Sequence, residues 1–248
     1  MEKQYRRDLK IAGSGSAAGG KYDNVLINGD GDISGDLDCN DLKVNGMSEI
    51  NGAVKTKSGK IKGMATFNGN LKADVFFMVF GTCAIRGSVE AKDMHVEGNA
   101  NVSENATGER IEIKGAINIK GDCTAEAFIS KGAFTIGGLL NADTVDVNLY
   151  GPCRAKEIGG ERIMVRKGTG FKFGKLIKSL LLSLDLDVVK LSTETIEGDD
   201  IYLEYTKAKA VRGNNVVIGE GCDIGVVEYK STFEQSNKSK VRENKKVR

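Results

Sequence analysis

LKVNGMSEINGAVKT, residues 42–56, decides the fold. Leu42, Val44, Ile50 and Val54 alternate with polar neighbours in short runs, and Gly46 and Gly52 interrupt them. Alternation at period two in runs of three to five residues describes short strands with one face in and one face out. No helical stripe survives the glycines. The pattern repeats. Glycines recur at Gly29, Gly46, Gly63, Gly81, Gly98, Gly115 and Gly132, in steps of 17, 17, 18, 17, 17 and 17 residues. A second series trails by six: Gly35, Gly52, Gly69, Gly87, Gly121 and Gly138, with Glu104 where one more is due. A period this short means one unit stacked on copies of itself.

The apolar residues keep that register. Ile27, Val44, Ile61, Val79, Val96 and Ile113 stand two before the first glycine series; in the next copy Ser130 takes the slot, with Ile129 beside it. Leu37, Val54, Leu71, Val89, Ala106, Cys123 and Leu140 stand two after the second series. Seventeen residues divide into three strand-plus-corner segments, so the expected fold is all-β, a three-sided parallel solenoid. Coils lie about 4.8 Å apart, the spacing of hydrogen-bonded strands. Glycine belongs at the corners, where φ is positive or a side chain meets the next coil. Asn28, Asn45, Asn51 and Asn68 read as turn residues.

Five segments follow from composition. Residues 1–22 are expected to be a flexible leader containing GSGSAAGG, 23–170 the β-helix repeats, 171–191 an insertion, 192–229 further coils, and 230–248 a disordered basic tail. The leader has no apolar core of a secretory signal, and its Gly-x-Gly lacks the Gly-Lys-Ser/Thr ending of a phosphate loop. The tail carries seven Lys or Arg against Glu234 and Glu243, a net +5 in a chain of formal net charge +2. In the insertion, Phe173, Leu176, Ile177, Leu180 and Leu181 fit one face of a short helix. They form either a peripheral membrane contact or an apolar face packed on the solenoid.

Chemistry-bearing residues are few. The five cysteines include no CxxC, so they read as reduced and structural, and the protein as cytoplasmic, with the inner face of the membrane as an alternative station. Asp30, Asp32, Asp36 and Asp38 resemble one turn of a calcium-binding repeat, but the pattern does not recur and solvated aspartates are expected. His95, the one histidine, is expected to point outward without a partner. No cofactor, metal or catalytic residue is expected, and nucleic acid is not expected as a partner.

Coils of 17 residues, glycine-cornered and Val/Ile-rich over residues 25–150, resemble the bactofilins, bacterial polymer-forming cytoskeletal proteins. TIEGDDIYLEYTKAKAVRGNNVVIGEGCDIGVVEY, residues 195–229, is similar to the C-terminal part of the longer Gram-positive members. The resemblance implies a right-handed parallel β-helix that stacks end to end into filaments without nucleotide. It implies a scaffold for envelope, morphogenetic or motility machinery, with the chain itself and a paralogous subunit as candidate partners. The family's terminal-coil phenylalanine directs attention to Phe233 and Tyr229. An uncapped solenoid exposes strand edges and core at its ends. The candidate assembly residues are therefore Val25, Ile27 and Ile33 at one end and Ile218, Ile224, Val226, Tyr229 and Phe233 at the other. Two alternatives stand beside the filament. One is a non-polymerising adaptor capped by the insertion. The other is an acyltransferase, because residues 217–225 resemble a hexapeptide repeat.

Overall fold

The computed structural model describes residues 6–168 and 189–248. Every element among them is a strand, and the paired strands run parallel. The chain divides into two compact units, Met1–Gly121 and Asp122–Arg248. The first holds β1 (Arg7–Ile11), β2 (Ser14–Ile27), β3 (Asp30–Val44), β4 (Met47–Ile50), β5 (Val54–Ile61), β6 (Met64–Phe67), β7 (Leu71–Val79), β8 (Thr82–Ile85), β9 (Val89–Val96), β10 (Asn99–Val102), β11 (Ala106–Thr107), β12 (Arg110–Ile113) and β13 (Ala116–Ile119). The second holds β14 (Cys123–Ser130), β15 (Ala133–Leu149), β16 (Cys153–Lys167), β17 (Leu191–Leu203), β18 (Thr206–Ile218), β19 (Asp223–Gln235) and β20 (Lys240–Lys246).

Each unit is a β-solenoid with three sides per coil. The coil of residues 47–63 shows why. Ser48 and Ile50 point inward on the first side, Val54 and Thr56 on the second, Gly59 and Ile61 on the third. Lys57 and Ser58 both face out, so alternation breaks there and β5 bends round a corner. The 18-residue step is the same corner with one residue added: Thr56 aligns with Ala73 but Ser58 with Phe76, and Val75 is pushed into solvent.

The inward positions stack into columns. Ile11, Ile27, Val44, Ile61, Val79, Val96 and Ile113 form one, at 0% exposure from Ile27 onward. Burial of this kind is worth about 1.5–3 kcal/mol per large side chain. Sizes compensate between neighbours: Gly59 leaves room that the Phe77 ring fills, and Phe77 meets Phe67 edge-on at 6.2 Å. The corner glycines are fixed by close approach. A Cβ on Gly63 would lie 1.9 Å from the carbonyl oxygen of Gly46, and one on Gly81 1.9 Å from that of Gly63. Asparagines stack at corners as ladders, Asn45 donating to Asn28 at 2.7 Å and Asn68 to Asn51 at 2.6 Å.

Three expectations are corrected. Residues 7–11 and 14–27 are strands, not a flexible leader: Leu9 aligns with Val25, Ile11 with Ile27 and Ala17 with Ile33. Residues 230–235 and 240–246 belong to β19 and β20 rather than to a disordered tail, with Ile224 aligned to Val241. Backbone ladder bonds do not depend on side-chain hydrophobicity, so small or polar residues extend the stack at both places. The third concerns Ser130, which stays in its column, fully buried and aligned with Val147, while Ile129 faces out. The rhythm of the second unit differs. Leu191 aligns with Thr206 and Ile201 with Val216, a step of 15 residues.

Candidate functional site

Interaction surfaces on a solenoid are its ends, its faces and its insertions. At the N-terminal end the inward positions of the first coil are Gly15 and Ala17 on one side and Tyr22 on the next. The Tyr22 hydroxyl donates to the Ala18 carbonyl at 2.9 Å, and the Arg7 guanidinium lies 5.7 Å from its ring centroid. Arg6 forms a two-pronged ion pair with Asp38, at 2.8 and 3.1 Å. At the C-terminal end Gln235 aligns with Ile218 and Asn244 with Val227. Polar side chains thus replace the apolar column residues of the coil before. Tyr229 and Phe233 stack at 5.4 Å.

These terminal coils displace the residues expected to form the ends. Val25 is 1% exposed, and Ile27, Ile33, Ile218 and Ile224 are fully buried, each covered by another coil. Val226, Tyr229 and Phe233 are half-buried in β19, which β20 flanks. The sequence signal for a further coil at each end is the backbone period itself, carried by Gly13 and Gly29 at one end and by Asp223 and Lys240 at the other.

Phe173, Leu176, Ile177, Leu180 and Leu181, and the helix expected there, lie outside the described residues. The roots of the insertion are described. Leu191 aligns with Cys153, and Ile201 with Ile163, so the coil closes across the interruption. The Glu204 carboxylate accepts the Lys167 backbone N–H at 2.8 Å, and the Glu204 N–H donates to the Val165 carbonyl at 2.9 Å. Lys167 lies 4.6 Å from the Tyr205 ring centroid, its ammonium donating to the Tyr205 hydroxyl at 3.2 Å. That hydroxyl donates to Glu220 at 2.9 Å, and with Lys238 it holds the Glu220 carboxyl below its usual range. Tyr205 has φ 45°, the one positive-φ residue other than glycine among those described. Strain of this kind is held only where surrounding bonds fix it.

The remaining chemistry is sparse. All five cysteines are free and buried. Burial pushes the thiol pKa of Cys39 and Cys222 to about 11 and of Cys123 and Cys153 to about 12, so all four are poor nucleophiles. His95 points outward as expected, but it has partners: Glu97 at 2.9 Å and Glu112 at 3.9 Å. With His95 and then Lys114 beside it, the Glu97 carboxyl is held below its usual range. Among the four early aspartates, Asp36 accepts the Ala53 N–H at 2.8 Å and Asp38 pairs with Arg6. No group of three or more His, Cys, Asp or Glu among the described residues is arranged to hold a metal. Each unit has one shallow surface groove of note, about 580 Å³ over Leu37, Val54 and Leu71 and about 710 Å³ between Glu157 and Glu228. No described helix is long and apolar enough to cross a membrane.

Sequence periodicity does not single out VFFMVF, residues 75–80. Here the outward positions Phe76, Met78 and Phe80 are apolar as well as the inward Phe77 and Val79. Lys60 lies 5.1 Å from the Phe80 ring centroid.

No family model matches the chain, and no solved structure matches it. Two curated proteins of Bacillus subtilis strain 168 are similar to it. Uncharacterized protein YhbF is 37% identical over 114 residues, 44% of this chain and 42% of that protein. Uncharacterized protein YhbE is 44% identical over 99 residues, 39% of this chain and 38% of that protein. The chain thus matches about two-fifths of the length of these curated relatives.

Proposed function

We propose that this chain is a non-catalytic β-solenoid scaffold of bactofilin-like kind, which assembles end to end without nucleotide and positions envelope, morphogenetic or motility components. The observation that carries the proposal is the pair of free strand edges. Among the described residues β1 pairs only with β2, and β20 only with β19. A copy added at either edge would satisfy the unpaired backbone groups, and a contact between unlike ends repeats without limit. Buried thiols and a histidine engaged by two carboxylates fit a structural role better than acyl transfer. Similarity to two proteins of one strain supports a paralogous subunit as a further partner. A station at the inner face of the membrane rests on the apolar residues of the insertion.

The adaptor reading has its own support. Gly15, Ala17, Gln235 and Asn244 make the terminal coils small or polar, as in solenoids that end rather than continue. Negative-stain microscopy of the purified chain without nucleotide, beside sedimentation over a range of salt, separates the two. Seven basic residues near the C-terminal end repel a second end, so salt should promote end-on assembly. Filaments that lengthen with salt, and that disappear in Leu9→Lys or Val241→Lys, support the scaffold polymer. A species that never stacks end on at any salt supports the adaptor.

A further inference from the structure

The apolar row Phe76, Met78 and Phe80 lies on the third side of its coil, between two charged rows. Ladder register places Ser58 and Lys60 on one flank of Phe76 and Met78, and Asp93 and His95 on the other. Lys62 and Glu97 flank Phe80 in the same way, since Phe80 donates to the Ile61 carbonyl and Glu97 to the Val79 carbonyl. One coil further out on each flank stand Asp41 and Lys43, and Arg110 and Glu112. Phe80 is 38% exposed and Val75 48%, unusual for large apolar residues here. Lys62 is exposed and makes no ion pair among the described residues.

We propose that this face binds a second copy of the chain with the two solenoid axes antiparallel. The symmetry and the charges together select that occupant. A two-fold axis lying along the Phe76–Met78–Phe80 row sets each apolar residue on its own copy. It exchanges the flanking rows, so Lys62 meets Glu97, Lys43 meets Glu112, Asp41 meets Arg110 and Ser58 meets Asp93. Each contact forms twice, because the interface is isologous. The other possible in-plane axis, along the solenoid, sets Lys60 on Lys60, Lys62 on Lys62 and Glu112 on Glu112. Like charges face to face oppose that arrangement. One pattern of eight charged or polar positions is therefore complementary to itself in one orientation only.

The face is small. Five residues by five coils span about 17 by 24 Å, below the roughly 800 Å² per partner of a standard interface. A reversible dimer in the micromolar range is the expected outcome. This contact deepens the self-assembly reading, yet it uses no terminal residue, so the two fail separately.

Sedimentation velocity over a hundredfold concentration range tests it, on the full chain and on Lys62→Glu and Glu97→Lys. Both substitutions are exposed and leave the core untouched, which circular dichroism checks. Wild type should dimerise, and each variant alone should associate at least tenfold more weakly. An equimolar mixture of the two variants should dimerise again. In the mixed pair the two introduced charges are opposite and face each other, and the unchanged Glu97 of one variant meets the unchanged Lys62 of the other. Val241→Lys, which blocks the end-on contact, should dimerise like wild type. The proposal is overturned if wild type stays monomeric, including if that monomer instead pellets with anionic phospholipid vesicles. It is also overturned if Lys62→Glu associates as wild type does, or if the mixture stays monomeric.

Discussion

Leu191 lies beside Cys153 in the ladder although 38 residues separate them in sequence. In the coil that follows, Leu203 and Thr206 are joined by Glu204 and Tyr205 alone, and that pair stacks on Arg166 and Lys167. Arg166 and Lys167 therefore already make an ordinary corner before the interruption. Deleting residues 168–190 and joining Lys167 to Leu191 should leave a folded solenoid. The expected loss is under about 1 kcal/mol, a shift of about 2–4 °C in thermal midpoint. The same variant tests Phe173, Leu176, Ile177, Leu180 and Leu181 as a membrane contact. Vesicle binding by the full chain that survives the deletion would remove the insertion from that role.

The corner glycines divide into classes that alanine should separate. A Cβ on Gly63 would lie 1.9 Å from a backbone oxygen that the ladder holds in place, so Gly63→Ala must separate two coils. It should cost more than about 3 kcal/mol, or prevent folding. Gly35 has φ +95° and nothing within 4 Å of its Cβ, so Gly35→Ala carries backbone strain alone, about 1–3 kcal/mol. A Cβ on Gly159 would meet only the Asn141 side-chain oxygen at 3.2 Å, which can turn away. Gly159→Ala should therefore cost under about 1 kcal/mol. Urea midpoints in any other order would contradict close approach as the reason for the glycine period.

Much of this architecture is readable from residues 25–150, because there each inward column is filled by Ile, Val, Leu or Phe at a constant step. Legibility fails where the column residue changes type while the backbone continues. Ala17 takes the place of Ile33, and Gln235 and Asn244 those of Ile218 and Val227. Hydrophobic periodicity cannot register such coils, so chain that is paired strand reads as leader and tail. The error moves the candidate ends inward by one coil, onto Ile27 and Ile224. The face at Phe76, Met78 and Phe80 escapes a sequence reading for the opposite reason. A continuous apolar run looks like core, and only the ladder shows which residues face out.

Ile27→Lys follows from that shift. Ile27 is fully buried between Ile11 and Val44, so lysine there places an ammonium in a dry column. The expected effect is loss of the N-terminal coils, at a cost of several kcal/mol, rather than shorter assemblies of a folded chain. Amide exchange localised to residues 7–44 distinguishes the two. Full protection there in the variant would contradict the placement of β1.

Ser48 occupies an inward position between Gly31 and Ala65, 7% exposed, and its hydroxyl has no hydrogen-bond partner. An unpaired buried hydroxyl costs about 1–3 kcal/mol, and Ala65 shows that the next coil accepts a methyl group. Ser48→Ala should raise stability by about 1 kcal/mol, measured by urea unfolding; a loss of that size would mean that the hydroxyl is satisfied in solution.

The buried cysteines set an alkaline limit. Each thiol has a higher pKa in the folded chain than the 9.0 of an unhindered one: about 11 for Cys39 and Cys222 and about 12 for Cys123 and Cys153. Desolvation of the thiolate is the main cause in each. Above the unfolded pKa only the unfolded chain loses these protons, so stability is full below about pH 9 and falls as pH rises towards the folded values. Every pH unit in that window removes about 1.4 kcal/mol per thiol. Cys123→Ala should therefore flatten the fall in urea midpoint between neutral pH and pH about 10.5, whatever it does to stability at neutral pH. Thiol reagents should label none of the five cysteines in the native chain and all of them in urea. Rapid native labelling at Cys123, or an unchanged pH slope in Cys123→Ala, would show that this column is open to water.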